Sequence, residues 1–156
     1  MELFKSITGI NVVHIAYKGA MPALADVMGG QIPVMLANLP ALLSHVTSGK
    51  VRALAVTSAK RTAQLPAVPT MIESGVPDYV VTSWYGMCAP AGTPQPILEK
   101  LHTDLTRTLQ AADVRQRLTD LTIDVAPTGR DEFTAFIRAE LERWAKVVKD
   151  ARVPLQ

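Results

Sequence analysis

An apolar run that ends in a glycine-containing turn and leads straight into a helix constrains this fold more than any other feature. Residues 12–16 are mostly apolar, residues 17–21 form the turn, and Pro22 lies near the start of a helix that stops at Gly29. A second apolar run, residues 32–37, follows. This order predicts a strand–turn–helix–strand unit. The helix begins at the carboxyl end of the first strand, and backbone N–H groups at such a position suit an anionic ligand group.

The same alternation continues along the chain and predicts an α/β fold. The apolar runs have no polar face, which is typical of parallel strands covered by helices on both sides. Further strands are predicted over residues 51–57, 80–88 and 123–125. Further helices are predicted over residues 2–8, 39–47, 97–110 and 113–121, with a last helix from about Asp131.

Composition limits the classes of function. The chain has 156 residues, enough for one domain with a real core, and its net charge of +2 is spread without a basic patch. A nucleic-acid partner is therefore not expected. The single cysteine, Cys88, excludes an internal disulfide and a cysteine-based metal cluster, and its apolar surroundings predict a buried thiol. His14, His45 and His102 lack metal-ligand spacing, so neither a metal nor a cofactor is expected.

Nine short segments, taken in order, resemble one known family over nearly the whole chain. They are VHIAYKG at 13–19, PAL at 22–24, GGQ at 29–31, NLP at 38–40, GKVRALAVT at 49–57, LPAVPT at 65–70, SWYG at 83–86, APAGTP at 89–94 and WAKVV at 144–148. The set is similar to the Bug receptors, which are the TctC-like extracytoplasmic solute-binding proteins of tripartite tricarboxylate transporters. No single segment is decisive, but the ordered set is specific.

The resemblance implies a more detailed architecture. It implies a periplasmic-binding-protein-like (type II) α/β lobe, with a parallel-rich sheet covered by helices, plus the C-terminal helices of the other, incomplete lobe. Residues 11–77 would form the second, ligand-binding lobe. Residues 1–10 and 78–156 would form the connecting segment and the C-terminal part of the first lobe. Family members are much longer, so we expect this chain to correspond to the C-terminal half of a receptor. The family works in the periplasm, although the first residues here lack the pattern of a secretory signal.

The turn at residues 17–21 is the best candidate for ligand contact. Gly19 allows close backbone approach, and Tyr17 offers a hydroxyl group and an apolar face. Ala20 and Met21 can present free N–H groups at the start of the helix. In a covered parallel sheet, ligands bind at the carboxyl ends of strands, where this turn is expected. The alternative is an ordinary strand-to-helix turn with a solvated Lys18. The resemblance favours ligand contact.

Two further residues are candidates from other segments. Asn38 ends the second predicted strand and is expected at the N-cap of the next helix, so capping explains it at least as well as ligand contact. The resemblance implies that Ser83 lies in a strand that passes near the cleft, where its hydroxyl could bind a ligand. Many relatives carry aspartate where this chain has Pro33 and Ala37. The ligand of any one relative therefore cannot be transferred to this chain.

Three hypotheses about function follow. The first is a solute-binding receptor that captures a small carboxylate-bearing metabolite without chemistry, for import through the membrane subunits of a transporter. The second is a truncated half-receptor that serves as an interaction or regulatory module without binding solute. The third is a thiol hydrolase built on Cys88, but nothing in the sequence places a base near that residue. In isolation the chain is expected to bind solute weakly or not at all, and to self-associate through uncovered apolar faces.

Overall fold

The computed structural model describes residues 1–151, and this part of the chain contains six helices. They are α1 (Glu2–Thr8), α2 (Ala20–Met28), α3 (Leu39–Thr47), α4 (Gln95–Gln110), α5 (Ala112–Asp120) and α6 (Arg130–Asp150). Each corresponds to a helix predicted from the apolar periodicity, with ends that differ by at most two residues. The chain divides into two compact units. Among the described residues, the first contains residues 1–83 and 149–151, and the second contains residues 84–148.

The first unit is built around one fully buried side chain. Leu24, on α2, has no exposed surface, and its neighbour Ala23 is also buried. Helices α2 and α3 pack against each other. Tyr79 is buried as well, and the ring of Phe4 meets it edge-on with 5.4 Å between ring centroids. Burial of Ala23 and Leu24, close to the start of α2, anchors the helix near the turn from which it begins.

The predicted strands do not form a hydrogen-bonded sheet within residues 1–151. One parallel bridge, between Val56 and Thr70, is present there, and the main chains of Thr57 and Val81 are also joined, with 2.9 Å from N of Val81 to O of Thr57. In the first predicted strand Val13 is 86% exposed. Apolar runs identify segments that favour burial, but a ladder also needs a neighbouring strand about 4.8 Å away, and periodicity does not supply that neighbour.

Residues 70–74 form a capped turn. The Oγ1 atom of Thr70 accepts a hydrogen bond from N–H of Glu73 over 3.1 Å, and the carboxylate of Glu73 accepts one from N–H of Thr70 over 2.7 Å. This is a capping box. Arg61 donates from Nε to the same carboxylate over 2.9 Å. Thr70 is 2% exposed, so the capping box joins the loop after residue 57 to the core of the first unit.

The second unit is organised by an aromatic cluster. The indole of Trp84 lies edge-on to the rings of Phe133 and Phe136, at centroid distances of 5.6 and 5.3 Å. Gly86 allows this packing because a Cβ atom at that position would collide with the ring of Phe133. Helices α4 and α5 pack against each other. Many apolar side chains of this unit are nevertheless exposed. They include Tyr85, Met87, Ile97, Leu101, Leu121 and Leu141.

Candidate functional site

The N-terminus of α2 presents unpaired backbone donors. Gly19 is the N-cap residue, with φ of 136° and ψ of 174°, and no side chain caps the helix. Within the described residues, N–H of Ala20 and of Met21 donates no hydrogen bond. The aligned peptide dipoles of the nine-residue helix add partial positive charge at this end. The exposed ammonium group of Lys18 adds a full charge in the adjacent position. The turn is therefore suited to bind an anion.

The left-handed φ at Gly19 explains why glycine occupies this position. Residues with a Cβ atom rarely adopt a φ of 136°, and a β-branched residue is the most disfavoured. A Cβ atom built at Gly19 would meet no other atom of the chain within 4 Å. The space in front of the turn is thus open, and an incoming ligand could approach the main chain closely.

The hydroxyl of Tyr17 is held by an acidic residue of the helix that follows it. It donates to Oδ2 of Asp26 over 2.7 Å, and both residues are half-buried. This hydrogen bond is the largest cause of a pKa for Tyr17 above its usual value, and desolvation adds to it. Sequence reasoning missed Asp26, because no spacing rule pairs residue 17 before a turn with residue 26 inside the helix.

Asn38 and Ser83 lie together although 45 residues separate them. The hydroxyl of Ser83 donates to Oδ1 of Asn38 over 2.8 Å, and both side chains are exposed. Asn38 is the N-cap residue of α3, as predicted, but its side chain makes no capping hydrogen bond. Of the two interpretations of Asn38, side-chain capping is therefore wrong, since its oxygen accepts from Ser83 instead, while ligand contact stays a prediction. In this arrangement its amide N–H₂ group is directed elsewhere and is available as a donor.

The predicted contact residues thus form two groups within the first unit. The turn holds Tyr17, Lys18, Gly19, Ala20 and Met21, and the second group is the Asn38–Ser83 pair. Each group lies at the N-terminus of a helix, and these two helices, α2 and α3, pack against each other.

A concavity in the second unit is lined by several acidic side chains, so it does not suit a carboxylate ligand. It has a volume of about 380 Å³ and is lined by side chains that include Glu99, Asp131 and Glu132. The single guanidinium group in its lining, that of Arg130, donates from Nη2 to Gln95 over 3.2 Å, while its buried Nη1 has no partner among the described residues. Three carboxylates in one lining repel a carboxylate ligand. The turn at the start of α2 is therefore the better candidate site for an anion.

Cys88 differs from the sequence expectation. The thiol is free and exposed, so the prediction that it would be buried is wrong. The apolar run around it, residues 84–89, favoured burial, but Tyr85 and Met87 in the same run are exposed too. Exposure here follows from the missing ladder, because a strand without neighbours cannot cover its side chains.

Residues 1–153 match the family described as the tripartite tricarboxylate transporter family receptor. The chain belongs to this family. It is 37% identical over 155 residues to the protein BugT of Bordetella pertussis, and the match covers 99% of this chain and 48% of BugT. The resemblance to Bug and TctC-like receptors is thereby confirmed. The family is one of transporter receptors for solutes and not a class of enzymes.

Two solved structures of Rhodopseudomonas palustris proteins show the same fold. One was solved with adipate; it is 36% identical, and the match has a TM-score of 0.80 and covers 96% of this chain and 50% of that one. The other was solved with bound malate; it is 31% identical, and the match has a TM-score of 0.71 and covers 94% of this chain and 51% of that one. This chain therefore spans about half the length of each of these proteins.

The comparisons confirm the fold class predicted from the sequence. The chain forms part of an α/β periplasmic-binding-protein fold, and its six helices occupy that framework even though its apolar runs lack a ladder. None of the helices in residues 1–151 is both long and apolar enough to cross a bilayer.

Proposed function

We propose that this chain is the part of a solute receptor that holds a small carboxylate-bearing metabolite, without chemistry, for import. One observation carries the proposal: α2 starts at an uncapped glycine, and N–H of Ala20 and of Met21 is unpaired. Lys18 adds positive charge beside these donors. Two relatives of the same fold were solved with adipate and with malate, which are both carboxylates, and this supports an acid as the ligand class.

The proposed contacts are the turn and the Asn38–Ser83 pair. Backbone N–H groups of the turn would bind one carboxylate, and Tyr17 would contact the body of the ligand. The side-chain amide of Asn38, oriented by Ser83, would add a donor from α3. The second, ligand-binding lobe is proposed to span residues 11–77 and to carry all of these contacts except Ser83, which lies in the segment that follows it. Residues 1–10 and 78–156 would then comprise the connecting segment and the C-terminal part of the first lobe.

Location and partners follow from the family. We propose that the receptor acts in the periplasm, where it would deliver its ligand to the membrane subunits of a tripartite transporter. Ligand affinity of the 156-residue chain is expected to be in the millimolar range. Receptors of this kind bury most of a small ligand between two walls, and exposed polar contacts from one wall must offset at least ~4 kcal/mol of lost ligand freedom.

A titration followed by amide NMR tests the proposal. The ¹⁵N-labelled chain is titrated with adipate and, as the matched control, with adipamide, which has the same carbon skeleton but no charge. Saturable shifts at Ala20 and Met21 are expected with adipate and not with adipamide. The absence of shifts at both residues up to about 50 mM ligand would contradict the proposal, since millimolar sites saturate in that range.

Absence of chemistry is tested separately. Incubation with a panel of activated esters and amides should give no turnover above buffer. Cys88 is exposed and is the one thiol of the chain, so Cys88→Ala is the decisive variant. Saturable hydrolysis that disappears in Cys88→Ala would replace the binding proposal with a thiol hydrolase.

A second candidate function is favoured by the apolar surface of the second unit. Tyr85 is 77% exposed and Leu141 is 66% exposed, while Trp84 and Trp144 border a further cavity of about 190 Å³. Large apolar side chains exposed together on one surface indicate a site of contact with another protein. A half-receptor that serves as an interaction module would use this surface to bind a second copy of itself and would bind no solute.

A further inference from the structure

We draw no further inference here: the strongest candidate, the apolar cavity of about 190 Å³ that Trp84 and Trp144 border in the second unit, carries none, because nothing in the structure shows what covers it.

Discussion

The Ser83 hydroxyl donates to the Asn38 side-chain oxygen over 2.8 Å, and this joins the end of the first unit to the N-cap of α3. The bond takes the place of a side-chain cap: N–H of Ala41 donates to the main-chain oxygen of Asn38 over 3.2 Å, but no N–H group of α3 receives a cap from the Asn38 side chain. Both helices that start near the proposed site are therefore uncapped by their own N-cap residue. Such an arrangement costs helix stability and supplies donors for a ligand.

Removing either partner of this pair should weaken ligand binding, and the two effects should not add. In Ser83→Ala the amide of Asn38 loses its orientation, and in Asn38→Ala the donor itself is lost. A double-mutant cycle on ligand affinity should give a coupling on the order of 0.5–1 kcal/mol. Ser48→Ala, at the other end of α3, is the control and should leave affinity unchanged. Additive effects of the two substitutions would show that the pair does not act together.

The Thr70–Glu73–Arg61 cluster should make stability depend on pH in the acid range. The hydrogen bond from Arg61, and then that from N–H of Thr70, lowers the pKa of Glu73 below its usual value of 4.5. A carboxylate with a lowered pKa in the folded state stabilises the fold above the unfolded-state pKa. That stabilisation is lost as pH falls through the folded-state value. We therefore expect the native chain to lose stability below about pH 4.5 through this group.

Urea unfolding at about pH 6 and at about pH 3 measures this effect. Glu73→Gln should lose less stability on acidification than the native chain. The control is Glu142→Gln, at an exposed position of α6, which should follow the native chain. Identical acid sensitivity of Glu73→Gln and the native chain would exclude this cluster as the source.

Substitution of Gly86 should destabilise the second unit through its aromatic cluster. In Gly86→Ala the new methyl group would push against the ring of Phe133, and that ring lies edge-on to Trp84. Overpacking of this kind costs about 1–3 kcal/mol. The matched control is Gly129→Ala, where a Cβ atom would meet nothing within 4 Å. Unfolding monitored by tryptophan fluorescence checks the difference, and equal midpoints for the two variants would contradict it.

The exposed apolar side chains predict self-association. The sequence predicts uncovered apolar faces on the strand near Ser83 and the helices after it. The residues expected there are Trp84, Leu101, Leu105, Phe136 and Trp144; four of them are exposed, and Leu105 is half-buried. Light scattering over a concentration series should show a dimer or a larger species. Leu141→Lys places a charge on this surface and should shift the distribution towards monomer. A strictly monomeric native chain with a cooperative melt would refute the account of this surface.

Helices were predictable from the sequence because their signals are local. The bounds of α3 follow from Asn38 at its start and the glycine after its last turn, and they agree with the structure. For α2 the predicted start at Pro22 is two residues late, since proline is tolerated anywhere in the first turn and does not mark the first residue.

Pairings between distant segments were not predictable. The apolar residues of 11–16 and 32–37 identify strand-like segments, but the partner of each depends on tertiary arrangement. The hydrogen bonds within the candidate site were not predictable for the same reason. Asn38 and Ser83 were each proposed as contacts, yet neither their hydrogen bond nor the Tyr17–Asp26 bond follows from spacing. Hydrogen bonds between side chains of distant segments depend on the tertiary arrangement of those segments, which local sequence patterns do not determine.

The affinity of two glycine variants for adipate tests the central claim most directly. Gly19 and Gly30 lie at opposite ends of α2, both have positive φ, and a Cβ atom at either meets nothing within 4 Å. Valine strains the backbone at both positions, by about 1–3 kcal/mol at each, so Gly30→Val controls for a general loss of helix stability. We predict that Gly19→Val abolishes the saturable amide shifts at Ala20 and Met21, while Gly30→Val retains them with native affinity. Retention of native affinity in Gly19→Val would contradict the claim that this turn binds the ligand.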